Sequence, residues 1–431
     1  MSRIALRSLP YRSCPISARG WCGRKTQLTP CHRYALRRNS SLGEMNDYRY
    51  TIQVEGPDGP ENQEHKDHLL AQLKDTPRDI RSLQLTKGTP SDTEWSLLGN
   101  HFTNIKDLEL HAGFNEDLND AKLPTHWPLE RLLVSDSGAE VFRTPFVLEG
   151  RVRHLILLLT YGLRFEGPTC AELSRANREA IKRGEKEPKY IGNIEVTFMP
   201  DLVREDLRKR YASFDAKPPA ENKDALLLPK AVPTKMAELE ILENDAMDTF
   251  TRMAIALPHV VENLSVLNIR STSNDFEYNT EPIFPSVLSQ LRQLNTFVFT
   301  VGEVFGDKDT LRNLYKSFPP NISTLRFRGP VTLHESSEWA KWVESFDSGE
   351  FLPKLKRLSL VLDLYFEPKD KSWSKMRRCS APEEMLRQSE EACRQLYDVV
   401  RKRDVVVEPF RDQWSKYSPI FTQVDERWMQ S

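Results

Sequence analysis

Ile105-Lys-Asp-Leu108-Glu-Leu110 is one of ten copies of a single short pattern, apolar-x-x-apolar-x-apolar. The other copies start at Ile80, Leu129, Val152, Ile191, Met236, Leu264, Leu294, Ile322 and Leu355. Seven of the nine intervals between starts lie between 23 and 33 residues, and the two flanking Ile191 are 39 and 45. The closing alternation of each copy puts two apolar side chains on one face of an extended chain, which marks a short half-buried strand.

Between copies the sequence turns helical. Ser91-Asp-Thr-Glu supplies capping residues ahead of Trp95 and Leu98, and Asn244 to Leu257 stops at Pro258. Pro285 to Leu291 opens with proline in a first-turn position, and Asp309 to Phe318 stops at Pro319. Ser336 to Phe346 brings Trp339, Trp342, Val343 and Phe346 to one helical face. Each unit is strand, turn, helix, and a single unit has too little surface to bury its own ladder. The pattern therefore predicts an α/β fold: a curved solenoid of irregular strand-helix units with a parallel sheet on its concave face. A doubly wound sheet would bring a Gly-rich phosphate loop, and the sequence has none.

These units resemble leucine-rich repeats, in the long helix-containing form of the F-box-type ligase receptors, over roughly Ile80 to Leu360. The resemblance implies a non-catalytic interaction protein, an adaptor or scaffold, that binds a protein partner on its concave face. The family's turn residue, Asn or Cys three positions past the ladder, occurs only as Asn244; Gly88, Thr160, Gly302 and Asp363 are among the residues standing there instead. An F-box needs a Leu-Pro-led helical segment ahead of the repeats, and residues 44–79 supply none.

The chain divides accordingly. Residues 1–43 form a basic leader, 44–79 an N-terminal cap segment, and 80–363 the repeats with insertions at 161–190 and 200–235. Residues 364–410 give a C-terminal helix and strand cap, with Pro382 to Arg403 as the helix, and 411–431 a tail. The first insertion reads as a helix with Arg175, Arg178, Lys182 and Arg183 on its polar side, and the second contains a Pro- and Lys-rich loop from Lys217.

Charge separates the leader from the body. The 61 Lys and Arg nearly balance the 62 Asp and Glu, which argues against a dedicated nucleic-acid binder. Nine of the basic residues and none of the acidic ones precede residue 44, leaving 52 basic against 62 acidic in the remainder. An acid-free leader rich in Arg and Ser, without an apolar core, has the composition of a mitochondrial transit peptide. Matrix targeting is one expectation; the other is a disordered basic tail, or a true start at Met45, on a cytoplasmic or nuclear protein. No apolar run approaches the length of a membrane span, so no membrane contact is expected. Six scattered cysteines fit a reducing compartment without a disulfide framework.

Common catalytic signatures for phosphate, nucleophile and zinc chemistry are absent, and no catalytic residue, metal or cofactor is expected. Glu64-His65-Lys-Asp67-His68 reads as a solvated helix start, and His154 as a hydrogen-bonded core residue. The resemblance implies that the polar residues alternating with the ladders point into the concave face, which makes them the candidates for partner binding. Asp107, Glu109, Glu238 and Glu240 come first, then Arg270, Arg326, Arg328 and Arg357, so the face is expected to be acidic early and basic late. Arginine's planar fork grips carboxylate or phosphate, which makes Arg326, Arg328 and Arg357 the leading contacts. His154, Ile156 and Leu158 occupy the same face, and the 161–190 insertion is the natural cover for their apolar stretch. Two rival readings remain: an RNA-associated mitochondrial protein using the late arginines and the Lys/Arg-bearing helix of the first insertion, and an enzyme on an α/β fold with no recognisable motif.

Overall fold

The computed structural model describes residues 49–56, 63–112, 119–135, 141–160, 164–165, 234–243, 246–271, 283–300, 317–329, 331–362, 365–366 and 379–409. The leader, the tail and nearly all of both expected insertions lie outside them, as do Asn244 and the ladder from Ile191.

Eleven strands form one open, all-parallel sheet. They are β1 (Tyr50–Gln53), β2 (Ser82–Thr86), β3 (Asp107–His111), β4 (Arg131–Ser135), β6 (His154–Leu158), β8 (Glu238–Glu243), β9 (Val266–Ser271), β10 (Thr296–Thr300), β11 (Thr324–Gly329), β12 (Arg357–Leu362) and β15 (Val406–Val407). Two-residue strands β5 (Val141–Phe142) and β7 (Arg164–Phe165) pair in parallel beside it, and β13 (Tyr365–Phe366) with β14 (Cys379–Ser380) antiparallel. The main sheet runs in chain order from β1 to β15 without reversal. A doubly wound sheet reverses its order at a switch point; the described strands show no such reversal.

Helices lie in seven of the ten connections between successive strands of the main sheet among the described residues, as parallel pairing favours. They are α1 (Gln63–Lys74), α2 (Asp92–His101), α3 (Pro145–Leu148), α4 (Ala246–Ala256), α5 (Pro258–Val261), α6 (Ile283–Gln290), α7 (Trp339–Asp347) and α8 (Glu383–Arg401). At α2 the capping box is complete: Ser91 Oγ accepts from the Glu94 N–H, and the Glu94 carboxylate accepts from the Ser91 N–H at 2.8 Å. Pro258 ends α4 but opens α5, its ring fitting a first turn. In α8, Leu386, Cys393, Leu396, Tyr397 and Val400 fall on one stripe and are buried, and the Tyr397 hydroxyl donates to the Leu360 carbonyl of β12.

The ladder positions meet in register. Ile52, Leu85, Leu110, Val134, Leu157, Ile241, Ile269, Phe299, Phe327 and Leu360 stand side by side on ten strands. None is more than 1% exposed. Each such burial contributes about 2 kcal/mol, so the row is a major stabilising element. Buried helix residues, among them Leu69, Trp95, Phe250, Phe284, Trp342 and Leu396, join it in one core. Its second half is aromatic, with Phe284 stacked on Phe299 and Trp342 edge-on to Phe327.

A second recurrence lies in the backbone. The carbonyls of Arg81, Lys106, Glu130, Arg153, Ala237, Ser265, Asn295 and Ser323 each accept from two successive N–H groups at the start of the next strand. All eight occupy the second position of their ladder, so the units repeat in hydrogen bonding as well as in burial.

One expectation is corrected. The ladder from Ile191 was to stand between those of Val152 and Met236, yet β6 pairs directly with β8 from His154 opposite Glu238 to Leu158 opposite Leu242. The Gly150 carbonyl fixes the same junction by accepting from the Lys235 N–H at 2.7 Å. The sheet also takes in β1 and β15, outside the ten ladders.

Candidate functional site

Because side chains alternate along a strand, the residues between ladder positions share the opposite face of the sheet. That face has three zones.

At β3 and β4, Asp107 and Glu109 do not form an open acidic patch. Arg49, just ahead of β1, lies 2.9 Å from Asp107 Oδ2 and 2.7 Å from Glu109 Oε1. Arg131 Nη1 reaches Asp107 Oδ1 at 2.5 Å and Glu109 Oε1 at 3.3 Å. Glu109 is 1% exposed. Burial alone would raise its carboxyl, but the His111 hydrogen bond and the charges of Arg49 and Arg131 outweigh it and hold the group at about 2. The expected acidic zone is thus an internally paired network.

At β4, β6 and β8 the face becomes apolar. Leu133, Ile156, Leu158 and Leu242 form a buried cluster apart from the main core. Of the 161–190 insertion expected to cover it, all but Arg164 and Phe165 lie outside the described residues. At its edge His154 Nε2 sits 2.8 Å from Glu240 Oε1, and Asn268 Nδ2 donates to Glu240 Oε2 at 2.7 Å. Glu238 lies 3.7 Å from His154 Nδ1 and 3.3 Å from Arg153 Nη2. His154 is hydrogen-bonded as expected but belongs to this face, not to the main core.

From β9 to β15 the face is basic. Arg270 and Arg328 are buried. Arg326 stands opposite Ser359 in register, with Arg357 two residues before Ser359 on β12. Glu408, whose N–H donates to the Leu358 carbonyl at 3.0 Å, follows β15. Its carboxylate lies 3.6 Å from Arg326 Nη2 and 3.9 Å from Arg357 Nη1. The sheet therefore brings all eight expected residues onto one face. Glu109, Glu240, Arg270 and Arg328 are buried there, whereas Arg357, Arg326, Glu238 and Asp107 reach the surface to differing degrees.

Sequence reading missed the counter-ions Arg49 and Glu408, because both flank strands that lack a full ladder. Alternation of Tyr50, Ile52 and Val54 is the signal that exposes β1. His65 and His68, on the first turns of α1, both approach Glu55, at 3.9 and 3.6 Å. Among the described residues no three His, Cys, Asp or Glu side chains are grouped to hold a metal ion, and no helix is long and apolar enough to cross a membrane. Cys393 is fully buried, which pushes its thiol well above the ordinary range.

No protein-family model matches the chain, and no curated protein gives a significant match.

Proposed function

We propose that the chain is a non-catalytic protein-binding module, an adaptor or scaffold, built as a leucine-rich-repeat-like solenoid whose partner docks on the polar sheet face. The observation that carries this reading is the chain-order parallel sheet with recurring strand-start hydrogen bonds: such an arrangement lengthens one continuous face unit by unit. Specific protein recognition needs a broad face of this kind, about 800 Å² per partner, with polar groups held in place before contact. Here ion pairs hold them, from Arg49–Asp107 at one end to Arg326–Glu408 at the other.

Proximity labelling with the full chain, beside a variant carrying Glu238→Lys, Arg326→Glu and Arg357→Glu, tests the reading. The expected result is a set of neighbours lost in the variant while its thermal unfolding stays that of the parent. An unchanged set of neighbours contradicts it.

A further inference from the structure

We infer that Arg326 and Arg357 form a docking point for a carboxylate-rich segment of the partner, an acidic peptide; this rests on the protein-binding reading above and names the chemistry of what binds.

Two guanidinium groups here share a single carboxylate among the described residues, that of Glu408. At 3.6 and 3.9 Å the charges attract, but both separations exceed hydrogen-bond reach. The N–H forks are therefore not used on Glu408. Arg326 Nε, Ser359 Oγ and Glu408 Oε1 are all buried without a hydrogen-bond partner. Ser359 is 1% exposed and sits beside Arg326 in the register. Its small side chain separates Arg326 from Glu408, two strands away, and its hydroxyl lies on the face the two arginines share. The hydroxyl and the Nε–H are closed to solvent, so an incoming acceptor meets the exposed parts of the two guanidinium groups, whose hydrogen-bonding capacity Glu408 leaves unfilled.

The place is reachable, since the side chain of Arg357 is 61% exposed and that of Arg326 34%. Planar forks at this spacing match a carboxylate, which each arginine can grip with two parallel N–H bonds. Length decides between an acidic peptide and a nucleic acid. Strands lie about 4.8 Å apart, so a short acidic segment spans β11 and β12 alone. An extended polyanion following the sheet would run over Glu240 and Glu238 on β8. Glu408 then acts as an internal competitor that lowers affinity for the incoming carboxylate.

The test is a fluorescence-anisotropy titration of the full chain with a labelled oligo-glutamate peptide and, separately, with a single-stranded RNA of equal charge. The peptide should bind, weaken roughly tenfold with Arg357→Gln or Arg326→Gln, weaken less with Arg357→Lys, and tighten with Glu408→Gln. The gain with Glu408→Gln is a readout that a poorly folded variant cannot mimic. No peptide binding by the parent, peptide binding indifferent to these changes, or RNA binding with the same arginine dependence each overturns the inference. If a partner contacts the polar face yet the peptide neither binds nor competes with it, this inference fails and the protein-binding reading stands.

Discussion

His154 Nε2 lies 2.8 Å from Glu240 Oε1 although 86 residues separate them in the chain. The contact exists because β6 and β8 are neighbours in register. The apolar row therefore passes from Leu157 to Ile241 without a gap.

The junction can be tested at Gly150. Its φ is +60°, and a Cβ there would lie 2.1 Å from Thr234 Oγ1. Gly150→Ala should cost about 2 kcal/mol in urea unfolding, from backbone strain together with the clash. Adding Thr234→Ala should restore part of that loss and leave the strain. Independent, additive effects would show that the two residues do not meet.

Glu109 should make stability depend on pH at the acid end. Its folded value of about 2 lies below the ordinary 4.5, so its contribution is fully present above 4.5 and is lost as pH falls through about 2. Glu109→Gln should lower stability by roughly 3 kcal/mol at neutral pH, with the difference closing as the solution is acidified. A constant difference between pH 6 and 2 would contradict the network.

Asp120 works in the opposite sense. Burial raises its carboxyl to about 6, partly offset by N–H groups of Thr144 and Arg143 that donate to Oδ2 at 2.9 and 2.8 Å. Its contribution is complete below the ordinary 3.8 and is lost as pH rises through about 6. Asp120→Asn should therefore flatten the stability profile between these values, gaining on the parent by roughly 3 kcal/mol across the window. Denaturant titrations at several pH values measure it.

Tyr397 ties α8 to the sheet through its bond to the Leu360 carbonyl. Tyr397→Phe keeps the ring and removes the donor, leaving a buried carbonyl unpaired, and should cost about 1–2 kcal/mol. A loss within a few tenths would mean that the helix seats on apolar contact alone.

The ladders were legible because burial on one face forces the same three apolar positions in every unit. Leu83, Leu108, Leu132 and Leu155, opposite one another in the sheet, are the middle positions of four successive copies. What the pattern does not carry is which strands are neighbours. The copy from Ile191 has the same local spacing as the nine that pair in register, and only pairing between distant segments decides that β6 meets β8. The polar face was legible for a related reason, since alternation places Arg326 and Glu240 on one side. Its electrostatics were not, because the neutralising partners come from Arg49 and Glu408, far away in sequence and beside strands too short to carry the pattern.

The most direct test of the docking face is site-specific photo-crosslinking in cells. One photoreactive residue replaces Arg357 on the polar face, and in a second chain one replaces Arg394, exposed on α8. A discrete partner adduct is expected from position 357 and none from position 394. The same adduct from 394 and not from 357 would place binding on the helical side and contradict it.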